Sequence, residues 1–210
     1  MGNSATRLHR DLEHGDGWPS DVGTLLTRST AHQPDRLVAM PVGLDGHPGP
    51  IRSTERTELL AWLGRLVLDR AVGRCLVGID GASGTGRSTF ADELATVLAD
   101  SGQHVVRASI DSFHRPRAER YRLGDASAEG YYRDSHDLVS LWDRLLGPFG
   151  SGATSAEVEV FDEPTDRPIH AAPIQVPPTA TRVFYGLFLH RPELVDAWSL
   201  SVFLVADQRR

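Results

Sequence analysis

The strongest chemical signal in the chain is Gly81-Ala82-Ser83-Gly84-Thr85-Gly86-Arg87-Ser88. It fits the phosphate-binding pattern G-x-x-x-x-G-K-[ST] at every constrained position except the Lys. Glycines let the backbone curl so that successive N–H groups point at one phosphate. A following helix adds its positive end, and the Ser88 hydroxyl can ligate Mg2+. The expected cradle is Gly81, Ala82, Ser83, Gly84, Thr85, Gly86, Arg87, Ser88 and Thr89; the alternative reading is a plain glycine-rich turn. Arg87 keeps the charge of the missing Lys but changes its shape, because a guanidinium is larger, planar and prefers a bidentate grip.

Such a loop works only between a strand and a helix, and the flanking residues supply both. Cys75 to Ile79 is a short apolar run of the kind that makes a buried parallel strand. Ser88 to Asp100 carries Phe90, Leu94, Val97 and Leu98 on one face, with Gly102 placed to stop the helix. Upstream, Thr54 to Ala71 has leucines at helical spacing. Downstream, strands are expected at His104 to Ile110, Val158 to Phe161, Thr181 to Tyr185 and Leu200 to Val205. Helices are expected at Leu138 to Leu146 and Pro192 to Trp198, and Gly147 to Ser155 reads as a loop. Strands alternating with helices predict an α/β domain, residues 54–210, with a mostly parallel sheet between helical layers. Residues 1–53 read as an irregular leader.

Composition narrows the chemistry. All 22 basic residues are Arg, so an amine nucleophile, an amine base and a Lys phosphate clamp are excluded. A net charge of −6 argues against nucleic acid as a partner. The single cysteine, Cys75, excludes an intrachain disulfide and a cysteine-rich zinc site, and reads as a small core residue. No apolar run is long enough to span a bilayer and the N-terminus lacks a signal-peptide pattern, which predicts a cytoplasmic protein with no membrane partner. The oligomeric state is not set by the sequence.

The loop is followed by Ser109-Ile110-Asp111-Ser112-Phe113-His114-Arg115, then by Glu129-Gly130-Tyr131-Tyr132-Arg133-Asp134. With Val160-Phe161-Asp162 and the segment Phe184 to Leu194, these make the chain resemble the uridine kinase and phosphoribulokinase group of P-loop kinases from about Thr54 onward. The resemblance implies a P-loop NTPase fold of the nucleoside kinase type, with ATP and Mg2+ as cofactors and a hydroxyl of a nucleoside-like small molecule as acceptor. Asp111 matches the acid that accepts the hydroxyl proton and helps organise Mg2+ with Ser88. That position, at the carboxyl end of a strand, is where open α/β sheets bind ligands. Its alternative is a turn cap. His114, Tyr132 and Asp134 match the acceptor segment; a solvated loop with one buried ring is the other reading.

The chain departs from that family at Arg87, at Tyr185 where an Asp is expected, and at its end, Gln208-Arg209-Arg210, where the family continues into an arginine-bearing lid. The domain is therefore expected to be C-terminally short, and the second functional reading is an impaired nucleotide-binding protein of the same fold. A un-ionised phenol at position 185 is a poor cation ligand, and Asp162 is a candidate substitute. His9, His14, His32 and His47 lack metal-ligand spacing. Trp62, Trp142 and Trp198 read as packing residues, and Arg115 to Arg122 as a basic loop or a phosphate contact.

Overall fold

A computed structural model describes residues 23–29, 38–42, 54–71 and 73–205. Its sheet strands are β1 (Gly23–Ser29), β2 (Val38–Val42), β3 (Cys75–Gly81), β4 (Val105–Ser109), β5 (Thr181–Tyr185) and β6 (Leu200–Leu204). The sheet runs β2-β1-β6-β3-β5-β4. Its four strands β6, β3, β5 and β4 are parallel, and β1 joins the β6 edge antiparallel. The mostly parallel α/β architecture is thus as the sequence predicts. Register sets Val202, Ile79, Tyr185 and Ser109 in one row near the carboxyl ends of these strands.

Helices α1 (Thr54–Arg70) and α2 (Arg87–Asp100) cover one face, where Leu63, Phe90, Leu94 and Leu98 are buried against Val77, Ile79, Val183 and Val202. The other face packs Phe113, Leu141, Leu145, Phe149, Phe184 and Trp198. Near-continuous apolar strands follow from this two-sided burial. Helix α3 (Ala128–Asp134) carries Tyr131 and Tyr132, and α4 (Leu138–Leu141) continues through a π-helical turn at Trp142–Leu146.

Several expectations change. The strand predicted at Val158 to Phe161 is a two-residue hairpin arm, Phe161–Asp162, paired with Arg167–Pro168 outside the main sheet. The predicted loop from Gly147 begins as helix, Gly147–Ser151, because the preceding helix propagates and buries Phe149. The helix predicted over Pro192 to Trp198 is one 3-10 turn, Val195–Ala197. Trp142 is part-exposed and donates Nε1–H to the Glu193 carbonyl at 3.2 Å. Strands β1 and β2 lie inside the segment expected to be irregular; the open β6 edge supplies the pairing that local sequence does not announce. His9, His14, His32 and His47 lie outside the described residues.

One glycine is required by a close approach. A Cβ at Gly78 would lie 2.7 Å from the Trp198 ring, which stacks on Phe184 and is anchored by Nε1–H to the Leu189 carbonyl at 2.8 Å. Because that indole cannot swing away without breaking its hydrogen bond, Gly78→Ala is expected to lower stability by about 1–3 kcal/mol. A reduced urea midpoint at unchanged slope is the readout.

Candidate active site

The phosphate loop leaves β3 through Gly81 at φ 152, where a Cβ would come within 2.6 Å of the Leu204 carbonyl oxygen. Gly84 and Gly86 take φ 81 and 78, conformations that favour glycine, and no atom lies within 4 Å of where their Cβ would stand. Gly86 is the N-cap of α2 and offers no side chain, so the first-turn amides of Arg87, Ser88 and Thr89 carry no side-chain cap. An uncapped helix end behind an open glycine turn is an anion cradle, because the free N–H groups and the helix dipole act together. The residues therefore fit a phosphate.

The root of the loop is fixed by groups that sequence reading missed. Asp80 is buried, accepts the Gly81 N–H at 2.7 Å, and accepts both the backbone N–H and the Nδ1–H of His190, at 3.1 and 2.9 Å. His190 Nε2 is 3.0 Å from the buried Ser201 hydroxyl, which can donate to it. The only local signal was Asp80 standing directly before Gly81. Arg87 folds back and donates Nη1–H to the Gly81 carbonyl at 2.8 Å. Tyr185, half-buried, lies with its ring 4.9 Å from the Arg107 guanidinium carbon, so it carries a cation on its face and no carboxylate.

Asp111 sits in a 3-10 turn, Ile110–Phe113, just beyond β4. It is not the cap of that turn: Ser109 Oγ accepts the Asp111 N–H at 3.1 Å, leaving the acid exposed. Tyr131 lies between acid and loop in its electrostatics: its phenol pKa is raised chiefly by desolvation, then by the Asp111 charge, and is lowered by Arg87 and Ser83. An antiparallel bridge then pairs His114 with His136. Burial pushes His136 down to about 3, helped by His114 and by Arg191, Arg120 and Arg87, so its imidazole is neutral at physiological pH.

The other expected acceptor residues are engaged with protein. Tyr132 offers its ring face to Arg191 at 4.5 Å and its carbonyl to the same side chain at 3.1 Å, and packs edge-on against Phe188. Asp134 accepts from Arg122 at 3.3 Å. Both belong to α3 rather than to a loop, and Tyr131, one residue before Tyr132, also packs edge-on against Phe188. In the basic run, Arg120 is buried against Glu163 at 2.6 Å and Arg115 donates to the His136 carbonyl at 3.2 Å, so these cations hold the fold together. Cys75 is buried and burial raises its thiol pKa, consistent with a core residue.

Ser88 and Asp111 are exposed oxygen donors suited to Mg2+, a hard cation that keeps several waters. Asp162 accepts the Thr165 hydroxyl within its own hairpin. Among the described residues no helix is long and apolar enough to cross a membrane.

No protein-family model and no curated protein matches the sequence. Solved structures do match. A protein described as a possible uridine kinase from Bacillus stearothermophilus is 25% identical, with a TM-score of 0.61 over 69% of this chain and 78% of that one. A candidate fructose transport system kinase from Silicibacter sp. TM1040 is 24% identical, with a TM-score of 0.53 over 68% and 72% of the two chains. The chain has the fold of the P-loop kinases of the uridine kinase type, as the motif resemblance implies.

Proposed function

We propose that this chain is an ATP-dependent phosphotransferase of the uridine kinase type, acting on a hydroxyl of a nucleoside-like small molecule. The observation that carries the reading is the open, uncapped glycine loop at the carboxyl end of β3, with the exposed Asp111 just beyond the carboxyl end of β4 in the same parallel sheet. The phosphate loop and the acid therefore stand at the same end of the sheet. ATP with Mg2+ would supply the transferable phosphoryl group and neutralise its charge. The amides from Gly81 to Thr89 hold the phosphates, Ser88 and Asp111 offer the metal oxygens, and Asp111 accepts the proton of the acceptor hydroxyl. His114, Tyr132 and Asp134 shape the acceptor side, the last two by placing α3.

A second reading is favoured by two specific contacts. Arg87 spends a donor on the Gly81 carbonyl, and Tyr185 meets Arg107 where a carboxylate is expected. Both point to a nucleotide-binding protein with reduced turnover. Calorimetry of ATP binding with and without Mg2+, followed by phosphoryl transfer to a panel of nucleosides, separates the two. Arg87→Lys is expected to raise kcat on the order of ten- to a hundred-fold, the scale of one well-aimed charged donor. Tight ATP binding with no transfer, even by that variant, selects the binding protein; no ATP binding removes both readings.

A further inference from the structure

We infer that Asp111, His114 and His136 form a binding site for a transition-metal dication of the zinc class, distinct from the Mg2+ expected beside the phosphate loop. Each residue offers one ligand atom, and these atoms lie within 4.8 Å of one another. His136 Nε2 is 4.0 Å from Asp111 Oδ1.

The independent observation is His136 itself. Its side chain is 1% exposed, yet neither ring nitrogen has a hydrogen-bond partner. A buried polar atom left unpaired is costly, and an ion on Nε2, the nitrogen turned toward Asp111, would satisfy one of the two. His114 is prepared in the way metal-ligating histidines usually are. Its Nδ1 lies 2.7 Å from the Asp111 backbone carbonyl, which can only accept, so Nδ1 carries the proton and Nε2 presents a lone pair.

The frame is rigid. The two imidazoles, with centroids 4.6 Å apart, stand on backbone segments tied by Arg115 N–H to the Ser135 carbonyl at 3.0 Å and Asp137 N–H to the Phe113 carbonyl at 2.7 Å. Metal–nitrogen bonds of about 2.0–2.1 Å place tetrahedral donors roughly 3.4 Å apart, so the widest donor pair must close by up to about 1.4 Å. The Asp111 side chain, 63% exposed, can supply that movement. Two imidazoles with one carboxylate suit zinc, cobalt or nickel, whereas Mg2+ takes oxygen ligands. One consequence rests on the phosphotransferase reading: an ion shared with the two histidines draws the Asp111 carboxylate away from the phosphate loop and the acceptor hydroxyl, so this metal and transfer compete.

The test uses the full chain and Co2+ alone, with no nucleotide present, read by the visible ligand-field absorption of the bound ion. One equivalent with the intense bands of a four- or five-coordinate site is expected. Its dissociation constant should weaken about ten-fold or more in His136→Phe, which keeps an aromatic ring in the buried position, and in Asp111→Asn, which changes an exposed group. Absence of the bands, or their retention at the same midpoint in either variant, overturns the site. Because neither ATP nor turnover enters the measurement, failure here leaves the kinase reading standing, and failure to bind ATP leaves the metal result standing.

Discussion

Asp111→Asn is expected to reduce phosphoryl transfer by about 100-fold or more, the usual scale for losing a positioned proton acceptor, while ATP affinity stays near that of the native chain. The amide is nearly isosteric with the acid, and Ser109 rather than Asp111 caps the 3-10 turn, so the turn is preserved. The exposed carboxylate makes no hydrogen bond to the phosphate loop in the described structure that the change would break. Steady-state kinetics with saturating ATP and the best acceptor of the panel read the effect. A kcat equal to that of the native chain would remove Asp111 from the chemistry and shift attention to the neighbouring histidines. The change should appear in kcat more than in KM, since proton transfer is demanded only as the hydroxyl attacks.

The second large effect concerns stability. Arg182 lies in the middle of β5, wholly buried, with none of its three guanidinium nitrogens hydrogen-bonded. Its guanidinium carbon stands 4.6 Å from the Phe149 ring centroid, and burial, with Arg74 nearby, pushes its pKa down to about 9. A charge held this way costs more than a stacked ring returns, so Arg182→Met is expected to stabilise the fold by about 1–4 kcal/mol. In a chain of this size that is a rise in Tm on the order of 5–10 °C. The pH dependence has a definite sign. The unfolded chain keeps this proton to the ordinary, much higher arginine range and the folded one only to about 9, so above about 9 the unfolded state binds more protons and native stability rises with pH. The advantage of the variant should therefore be full at pH 7 and shrink above about 9. Paired thermal melts across that range check it; a variant less stable than the native chain at pH 7 would show that the stacking on Phe149 outweighs the buried charge.

The sequence showed the phosphate loop because its chemistry is local: consecutive residues, a strand before, a helix after, and a helix end with no cap. Asp111 was visible for a related reason, since it follows an apolar strand, two residues beyond the end of β4. What stayed hidden depends on contacts distant in sequence. Tyr131 and Tyr132 are neighbours of one residue type, and only the packing of Phe188 and Arg191 against α3 decides which ring takes the guanidinium on its face. His136 reads as an ordinary polar residue until the bridge to His114 places it beside Asp111. Arg182 interrupts an apolar strand that periodicity still reads correctly as a strand. The helix at Gly147–Ser151 defeats its composition because burial of Phe149 outweighs glycine's entropy.

The Asp80, His190 and Ser201 chain also has a consequence for how the protein is made. A ribosome releases the phosphate loop more than a hundred residues before His190, whose contacts with Asp80 span 110 positions. Arg74, just ahead of the loop, likewise waits for carbonyls at Pro148, Phe149, Ala153, Val176 and Pro177. During synthesis the nascent glycine turn is therefore an unanchored segment, and it takes its binding shape only when β6 arrives. The anchored loop is a late product of translation, so a stalled or cleaved chain ending before Ser201 would display the motif in full and lack the strand that flanks it.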